Sequence, residues 1–495
     1  MSFKSFIGKI FAKIVYKRIQ KASLNAIEEQ QKVFQNLVSS AKLTQFGKDH
    51  NFSGITSYED FKKQVPIRDY EGLKDYVEEI KKGKENILWP GLPIYFCKTS
   101  GTTSGVKYIP ISKESIGYHI SGARNAILSY MAETGKSDFV DGKMIFLQGS
   151  PELDNSGKIP LGRLSGIVAH HVPGYLQKNR MPSYEVNCIE DWEEKVNAIA
   201  DETLSKKMTL ISGIPPWVQM YFDVLLEKAD KKTIQEIFPH FSLFIYGGVN
   251  FEPYRKKFEE TIGKKVDSIE VYPASEGFIA YQDSQKQEGL MLIPDGGIFY
   301  EFIPANEFFD ENPTRISLKD VELNTNYVII LNTNAGLWGY NIGDTVKFVS
   351  KKPYRIVVTG RIKHFTSAFG EHVIAEEVDA VMKLAAEKFG LKVKEFHVAP
   401  QVNPEGEELP YHEWFIEFSE QPNELEKIAL YLDEQLQQKN TYYKDLITGN
   451  ILQPLKIKPL SKNAFQSYMK SIGKLGGQNK VPRLANDRVI ADKLL

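Results

Sequence analysis

The sequence predicts an α/β fold, a large multilayer N-terminal domain followed by a smaller α+β module, and three observations predict it. Short apolar runs alternate with helical stretches along most of the chain, several of those runs end at glycines, and the pattern changes after Gly360-Arg361-Ile362-Lys363-His364. A length of 495 residues allows about two to four domains, and 42% hydrophobic residues suffice for sizeable cores.

The elements follow in chain order. Met1–Arg18 repeats apolar residues at helical spacing (Phe6, Ile7, Ile10, Phe11, Ile14, Val15) with lysines interrupting every run. It therefore lacks both a signal-peptide core and a membrane span, and reads as a helix packed on the domain or lying on a membrane surface, without stable insertion. Lys143–Leu147, Met208–Ile211, Leu243–Tyr246, Ser268–Val271 and Tyr327–Leu331 read as strands. Between them Trp192–Leu204, Pro216–Ala229 and Glu252–Ile262 read as amphipathic helices. Beyond the boundary come helix Ala375–Phe389, strands Glu395–Val398 and Trp414–Phe418, helix Asn423–Gln438 and an extended Leu452–Ile457. The division falls at residues 1–362 and 363–495.

Charge narrows the function classes. Lys+Arg 62 against Asp+Glu 63 gives a formal charge of −1, so no global basic field argues for nucleic acid. Cys97 and Cys188 alone make neither a disulfide framework nor a structural zinc site, which fits a reducing cytoplasm. No His/Cys/Asp cluster has metal-ligand spacing.

Three motifs carry the chemistry. Thr99-Ser100-Gly101-Thr102-Thr103-Ser104-Gly105-Val106-Lys107 follows the apolar run Ile94–Cys97. Its glycines let backbone N–H groups approach an anion, its hydroxyls donate, and Lys107 adds a point charge, so the loop suits phosphate. It is not a Walker loop. In Glu270–Gly277 an extended segment delivers Tyr272, suited to a purine face, and then Ser275-Glu276, whose carboxylate suits magnesium beside a triphosphate. In Tyr340-Asn341-Ile342-Gly343-Asp344 the glycine is expected to give a turn and Asp344 to offer two oxygens to a vicinal diol such as ribose. Ser100, Gly247-Gly248, Tyr272 and Asp344 are all expected beyond strand C-termini, where such sheets bind ligands.

In the forms Ser-Gly-Thr-Thr-Ser-Gly-x-Lys, Tyr-x-x-Ser-Glu and Tyr-x-x-Gly-Asp, these motifs resemble those of the Gretchen Hagen three acyl acid amido synthetases, part of the adenylate-forming superfamily. Thr44-Gln45-Phe46-Gly47, Val65-Pro66-Ile67-Arg68-Asp69-Tyr70, Asn86–Gly91 and Ile214-Pro215-Pro216-Trp217 extend the resemblance over nearly the whole chain. It implies a mobile C-terminal lid hinged at Lys363, ATP and Mg2+, a small carboxylic acid activated as its adenylate, and an amino acid as acceptor.

The resemblance also implies roles. Ser100, Gly101, Thr102 and Thr103 cradle phosphates with Lys107 at their edge, Gly247, Gly248 and Val249 wall the adenine, Tyr272 stacks on it and Asp344 takes the ribose. Ser275 belongs to the same nucleotide site, Arg361 assists there, and Glu276 holds the metal. Gly477-Gln478-Asn479-Lys480-Val481-Pro482-Arg483 resembles the family's Gln-x-Lys-Thr-Pro-Arg ending, which makes Lys480 the catalytic lysine, with Val481 in place of threonine and Lys470 and Lys474 as rivals.

For the acyl side, the helix about Glu114–Leu128 aligns Tyr118, Ser121, Gly122 and Asn125 at spacings of three and four, with Ile214 and Trp217 capping the other side. The same spacing also describes a core-packing face. His171, beside His170, is either an acyl or amine contact or a surface residue. A thiol acceptor, making the chain an acyl-CoA ligase, and an idle binding protein of the same fold are the alternatives.

Overall fold

The computed structural model describes residues 3–100, 106–172, 174–248, 251–362, 365–366, 373–402, 404, 408–448, 451–476, 480–485 and 487–495. Among them, twelve strands form one mixed sheet. From edge to edge these are Ile316–Ser317, Ile298–Pro304, Asn326–Thr333, Tyr340–Lys351, Tyr354–Arg361, Leu290–Leu292, Gly277–Tyr281, Asp267–Ala274, Leu243–Gly247, Met208–Ser212, Lys143–Phe146 and Arg180–Met181.

The last five strands pair in parallel, joined by the expected helical crossovers. Parallel strands need both faces covered. On one face Trp192–Thr203, Pro215–Ala229 and Glu252–Ile262 bury Trp192, Val196, Val218, Phe222 and Phe258 against Ile145, Ile211 and Phe244. On the other, Phe3–Leu24 and Lys113–Thr134 cover Leu210, Leu243 and Ile269 with Ala12, Ala126 and Met131.

The other half of the sheet differs from the expected alternation. From Gly277 to Arg361 the neighbouring strands are antiparallel and joined without long helices. Ile298–Pro304 and Asn326–Thr333 are buried on both faces, so their sequences lack the polar/apolar alternation that marks a half-exposed strand. Ion pairs are buried here too. Glu301 is fully buried and takes Arg315 at 2.8 Å, while Tyr58 donates to it at 2.9 Å and Asn332 at 2.8 Å.

From residue 373 onward the chain builds its own cores. Strands Val393–Gln401, Tyr411–Phe418 and Lys456–Pro459 form a small sheet covered by helices Ala375–Phe389 and Leu425–Lys439, with Trp414, Ile416, Val381 and Leu432 inside. Helix Ala375–Phe389 begins where the Ile374 N–H donates to Glu377, and ends at Gly390 in the left-handed region.

Candidate active site

The described ends of the first motif lie on two paired strands. Tyr95–Ser100 pairs antiparallel with Val106–Ile111, with Ser100 opposite Val106 and Thr99 opposite Lys107. Gly101, Thr102 and Thr103 lie outside the described residues, as do Val249, Lys363 and the side chains of Ser100 and Arg361. The strand pair is backed by Tyr70, whose hydroxyl accepts from the Tyr108 N–H at 3.0 Å and whose ring centroid lies 6.0 Å from Lys107 Nζ.

The three motifs are tied together by side-chain hydrogen bonds. Cys97, on the first strand of that pair, lies 3.1 Å from Ser275 Oγ, in the turn between Asp267–Ala274 and Gly277–Tyr281. Burial pushes the Cys97 thiol up to about 12, which keeps it a neutral S–H donor rather than a thiolate. Tyr272 donates its hydroxyl to Asp344 Oδ2 at 2.6 Å. Tyr340 donates to Glu276, and burial, together with the Glu276 charge, holds its hydroxyl well above the usual tyrosine range.

Two expectations are corrected. Tyr272 and Asp344 sit inside strands Asp267–Ala274 and Tyr340–Lys351, not beyond their ends. Gly343-Asp344 is not a turn: strand Tyr340–Lys351 runs on through it, and the pairing with Asn326–Thr333 shifts register there. Gly343 has φ +90°, which lets the strand bulge, while its N–H donates to Asn341 Oδ1 at 2.8 Å and its carbonyl accepts from Ile362. The bulge sets Asp344 opposite Arg361 in the next strand.

The small domain reaches this site through Lys480. Gly247 lies so close to the neighbouring strand that a Cβ would stand 2.3 Å from the Val271 carbonyl oxygen. Gly248 has φ +86°, and a Cβ on it would stand 2.9 Å from Lys480 Nζ and 3.9 Å from Ile214 Cδ1. Lys480 is therefore at the glycine pair that follows strand Leu243–Gly247. Lys470 instead pairs with Glu193 at 2.7 Å on the exposed surface. Gly476 packs against Trp192 and Lys392 approaches Glu260 at 3.8 Å, so with the Lys470–Glu193 pair these contacts join the small domain to helices Trp192–Thr203 and Glu252–Ile262.

The segment carrying Lys480 is fastened just after it. Arg483 pairs with Asp379 at 3.0 Å and with Glu395, donates to the Phe396 carbonyl at 3.1 Å and lies over the Phe396 ring. The Pro482 carbonyl lies 2.7 Å from His397 Nδ1, and Val398 exchanges backbone hydrogen bonds with Arg483 and Ala485. Sequence reasoning named Arg483 only as part of a motif. Its two carboxylate partners are far away in the chain, so no local signal marked them.

The acyl-side candidates are spread out. Tyr118 packs at Gly297, Gly122 faces Phe278, His171 lies 3.2 Å from the Tyr95 hydroxyl, and Trp217 stands edge-on to Trp192 in the core. Ser121 donates to the Tyr118 carbonyl within its own helix. Ile214 comes near Lys480, both lying beside Gly248. A methyl on Gly122 would stand 2.4 Å from Phe278 Cγ, and Phe278 is buried. Gly122→Ala is expected to cost about 1–3 kcal/mol of stability through overpacking, measured by denaturant unfolding.

Among the described residues, no group of three or more His, Cys, Asp or Glu could hold a metal on its own, and no helix is long and apolar enough to cross a membrane.

Comparison with known proteins follows the same outline. A solved structure of AtGH3.15 acyl acid amido synthetase in complex with 2,4-DB superposes with TM-score 0.78 at 16% identity, covering 98% of this chain and 95% of that one. A 2-hydroxyisobutyryl-CoA ligase in the postadenylation state gives 0.57 at 13% identity over 96% and 92%. Both show the shared fold. In sequence, the chain is 22% identical to the indole-3-acetic acid-amido synthetase GH3.4 of Arabidopsis thaliana over 94% of this chain and 90% of the relative. It is likewise 22% identical to the jasmonoyl–L-amino acid synthetase JAR4 of Nicotiana attenuata, covering 64% of this chain and 66% of that one, just under two thirds of the relative's length. Three family models match in order: the GH3 family N-terminal domain over residues 15–180 and 164–266, the central domain over 290–361 and the C-terminal domain over 376–489. Spanning most of the sequence, they show that the chain belongs to the GH3 family.

Proposed function

We propose that this protein is an ATP-dependent acyl acid amido synthetase that activates a small carboxylic acid as its acyl-adenylate and passes the acyl group to an amino acid. The observation that carries the reading is the convergence of Cys97–Ser275, Tyr272–Asp344 and Glu276–Tyr340 at one site, with Lys480 arriving from the small domain at Gly248. The chain is read as a large domain of residues 1–362 and a mobile small domain of 363–495 hinged at Lys363, working in the cytoplasm.

A carboxylate is a poor acyl donor because its leaving group would be oxide. Attack of its oxygen on the α-phosphorus of ATP forms the acyl–phosphate bond and expels pyrophosphate with the electron pair. Preorganised positive charge stabilises that step. The N–H groups and hydroxyls of the Ser100–Thr103 motif, Lys107 and Lys480 supply it. Asp344 binds the ribose hydroxyls while Tyr272 donates to its carboxylate and lays a ring beside the base. In the second half-reaction the amine attacks the acyl carbon, AMP leaves, and the amine proton passes to solvent.

Magnesium usually takes one or two carboxylates and completes its shell with phosphate oxygens and water, so Glu276 as its protein ligand fits. When bound, the ion neutralises phosphate charge. Tyr340 orients the Glu276 carboxylate for it.

Gly248 tests the placement of Lys480. Gly248→Ala puts a methyl 2.9 Å from the Lys480 ammonium and asks alanine to adopt a left-handed φ. Adenylation is expected to fall roughly tenfold or more. The acceptor is decided by offering amino acids and coenzyme A together and identifying the product by mass spectrometry. An amide is expected; acyl-CoA alone would make the chain a thiol ligase.

A further inference from the structure

We propose that the N-terminal helix Phe3–Leu24 docks the enzyme peripherally on an anionic phospholipid bilayer. The helix packs on Lys113–Thr134 through one face, which buries Ser5, Ala12 and Ser23 and sets Gly8 against Met131. At 3.6 residues per turn the opposite face carries Phe6, Ile7, Ile10, Phe11 and Ile14. These are about half exposed, from 47% at Phe11 to 62% at Ile14. Five large apolar side chains on adjacent turns make a continuous stripe, unlike the single exposed hydrophobics normal on a soluble surface.

The charge around the stripe selects its occupant. Before Glu28 the chain holds Lys4, Lys9, Lys13, Lys17, Arg18 and Lys21 and no acid, although the protein as a whole has a formal charge of −1. Lys9 and Lys13 fall on one flank of the stripe, and Lys17 and Lys21 continue it toward the C-terminal end. Two copies meeting here would oppose like charges. A bilayer with anionic headgroups instead takes the apolar stripe at its acyl boundary and the ammonium groups at its phosphates. The helix is too short in continuous apolar sequence to cross, so it lies on the surface.

The apolar surface also continues inward. At one edge of the stripe Phe11 and Ile14 line a cavity of about 230 Å³ together with Met291 and Ile293, its wall carrying Arg18, Arg124 and Asp295.

The experiment is flotation of the full-length protein with vesicles of phosphatidylcholine alone and of phosphatidylcholine with phosphatidylglycerol, at low and high salt. Recovery with the anionic vesicles is expected, and should fall about tenfold or more in both Phe6→Ser/Ile10→Ser and Lys13→Glu/Lys17→Glu, with unchanged melting temperatures. No recovery with anionic vesicles, or equal recovery with phosphatidylcholine alone, would overturn the proposal. So would binding that survives Phe6→Ser/Ile10→Ser, which would mean charge attraction only. A dimer in light scattering that the same double substitution dissolves would reassign the face to a second copy of this chain.

Discussion

Lys480→Ala is expected to slow adenylation by about a hundredfold or more, the usual effect of removing one preorganised contact to developing charge. The lysine stands beside Gly248 in the pose seen here, anchored from behind by the Arg483 pairs with Asp379 and Glu395. Its flexible stem lets a mobile domain deliver the charge only when that domain is seated. The second half-reaction does not need it in the same way, because AMP is already a weakly basic leaving group. Chemically supplied acyl-AMP should therefore be consumed by the variant at near the parent rate. Lys470→Ala, which loses only the exposed pair with Glu193, should leave both half-reactions close to parent. Rapid-quench measurement of each half-reaction checks all three statements.

Asp344→Ala is expected to weaken ATP binding by about tenfold to a hundredfold, read by calorimetry, because hydrogen bonds to a charged group are worth about 1.5–3 kcal/mol. The variant also strands the Tyr272 hydroxyl, which now donates to Asp344 at 2.6 Å. Tyr272→Phe separates the two causes. It keeps the ring and the carboxylate, so it should cost less than Asp344→Ala, whereas Tyr272→Ala should weaken nucleotide binding further by removing the stacking face. Equal losses in Tyr272→Phe and Asp344→Ala would place the hydroxyl, not the carboxylate, on the nucleotide.

Local pattern made much of this legible. Helices Glu252–Ile262 and Ala375–Phe389 were readable to their ends, since each apolar stripe stops at a glycine, Gly263 and Gly390, that takes the left-handed cap. Four of the five strands of the parallel half stood out as short apolar runs between helices; the two-residue Arg180–Met181 is too short to show a pattern. In the antiparallel half only Tyr327–Leu331 was read as a strand, inside Asn326–Thr333; Ile298–Pro304 is buried on both faces, and a helix-free meander leaves no period to follow. Gly343 shows a subtler limit. A glycine before an aspartate reads as a turn, and only the pairing partner reveals a bulge inside a strand. The motif residues were visible, but their links were not, because Cys97–Ser275 and Tyr272–Asp344 join positions far apart in the chain. For the same reason the spacing of Tyr118, Ser121 and Gly122 located a helix face without naming its neighbour, which at Gly122 is Phe278.

The most direct measurement is carboxylic-acid-dependent exchange of labelled pyrophosphate into ATP, run with magnesium over a broad panel of acids, on the parent protein and on Lys480→Ala. The assembled motifs predict exchange with at least one acid in the parent and its near disappearance in the variant. No exchange with any acid, in a protein that also fails to bind ATP by calorimetry, would contradict the account and leave a binding protein built on the same fold.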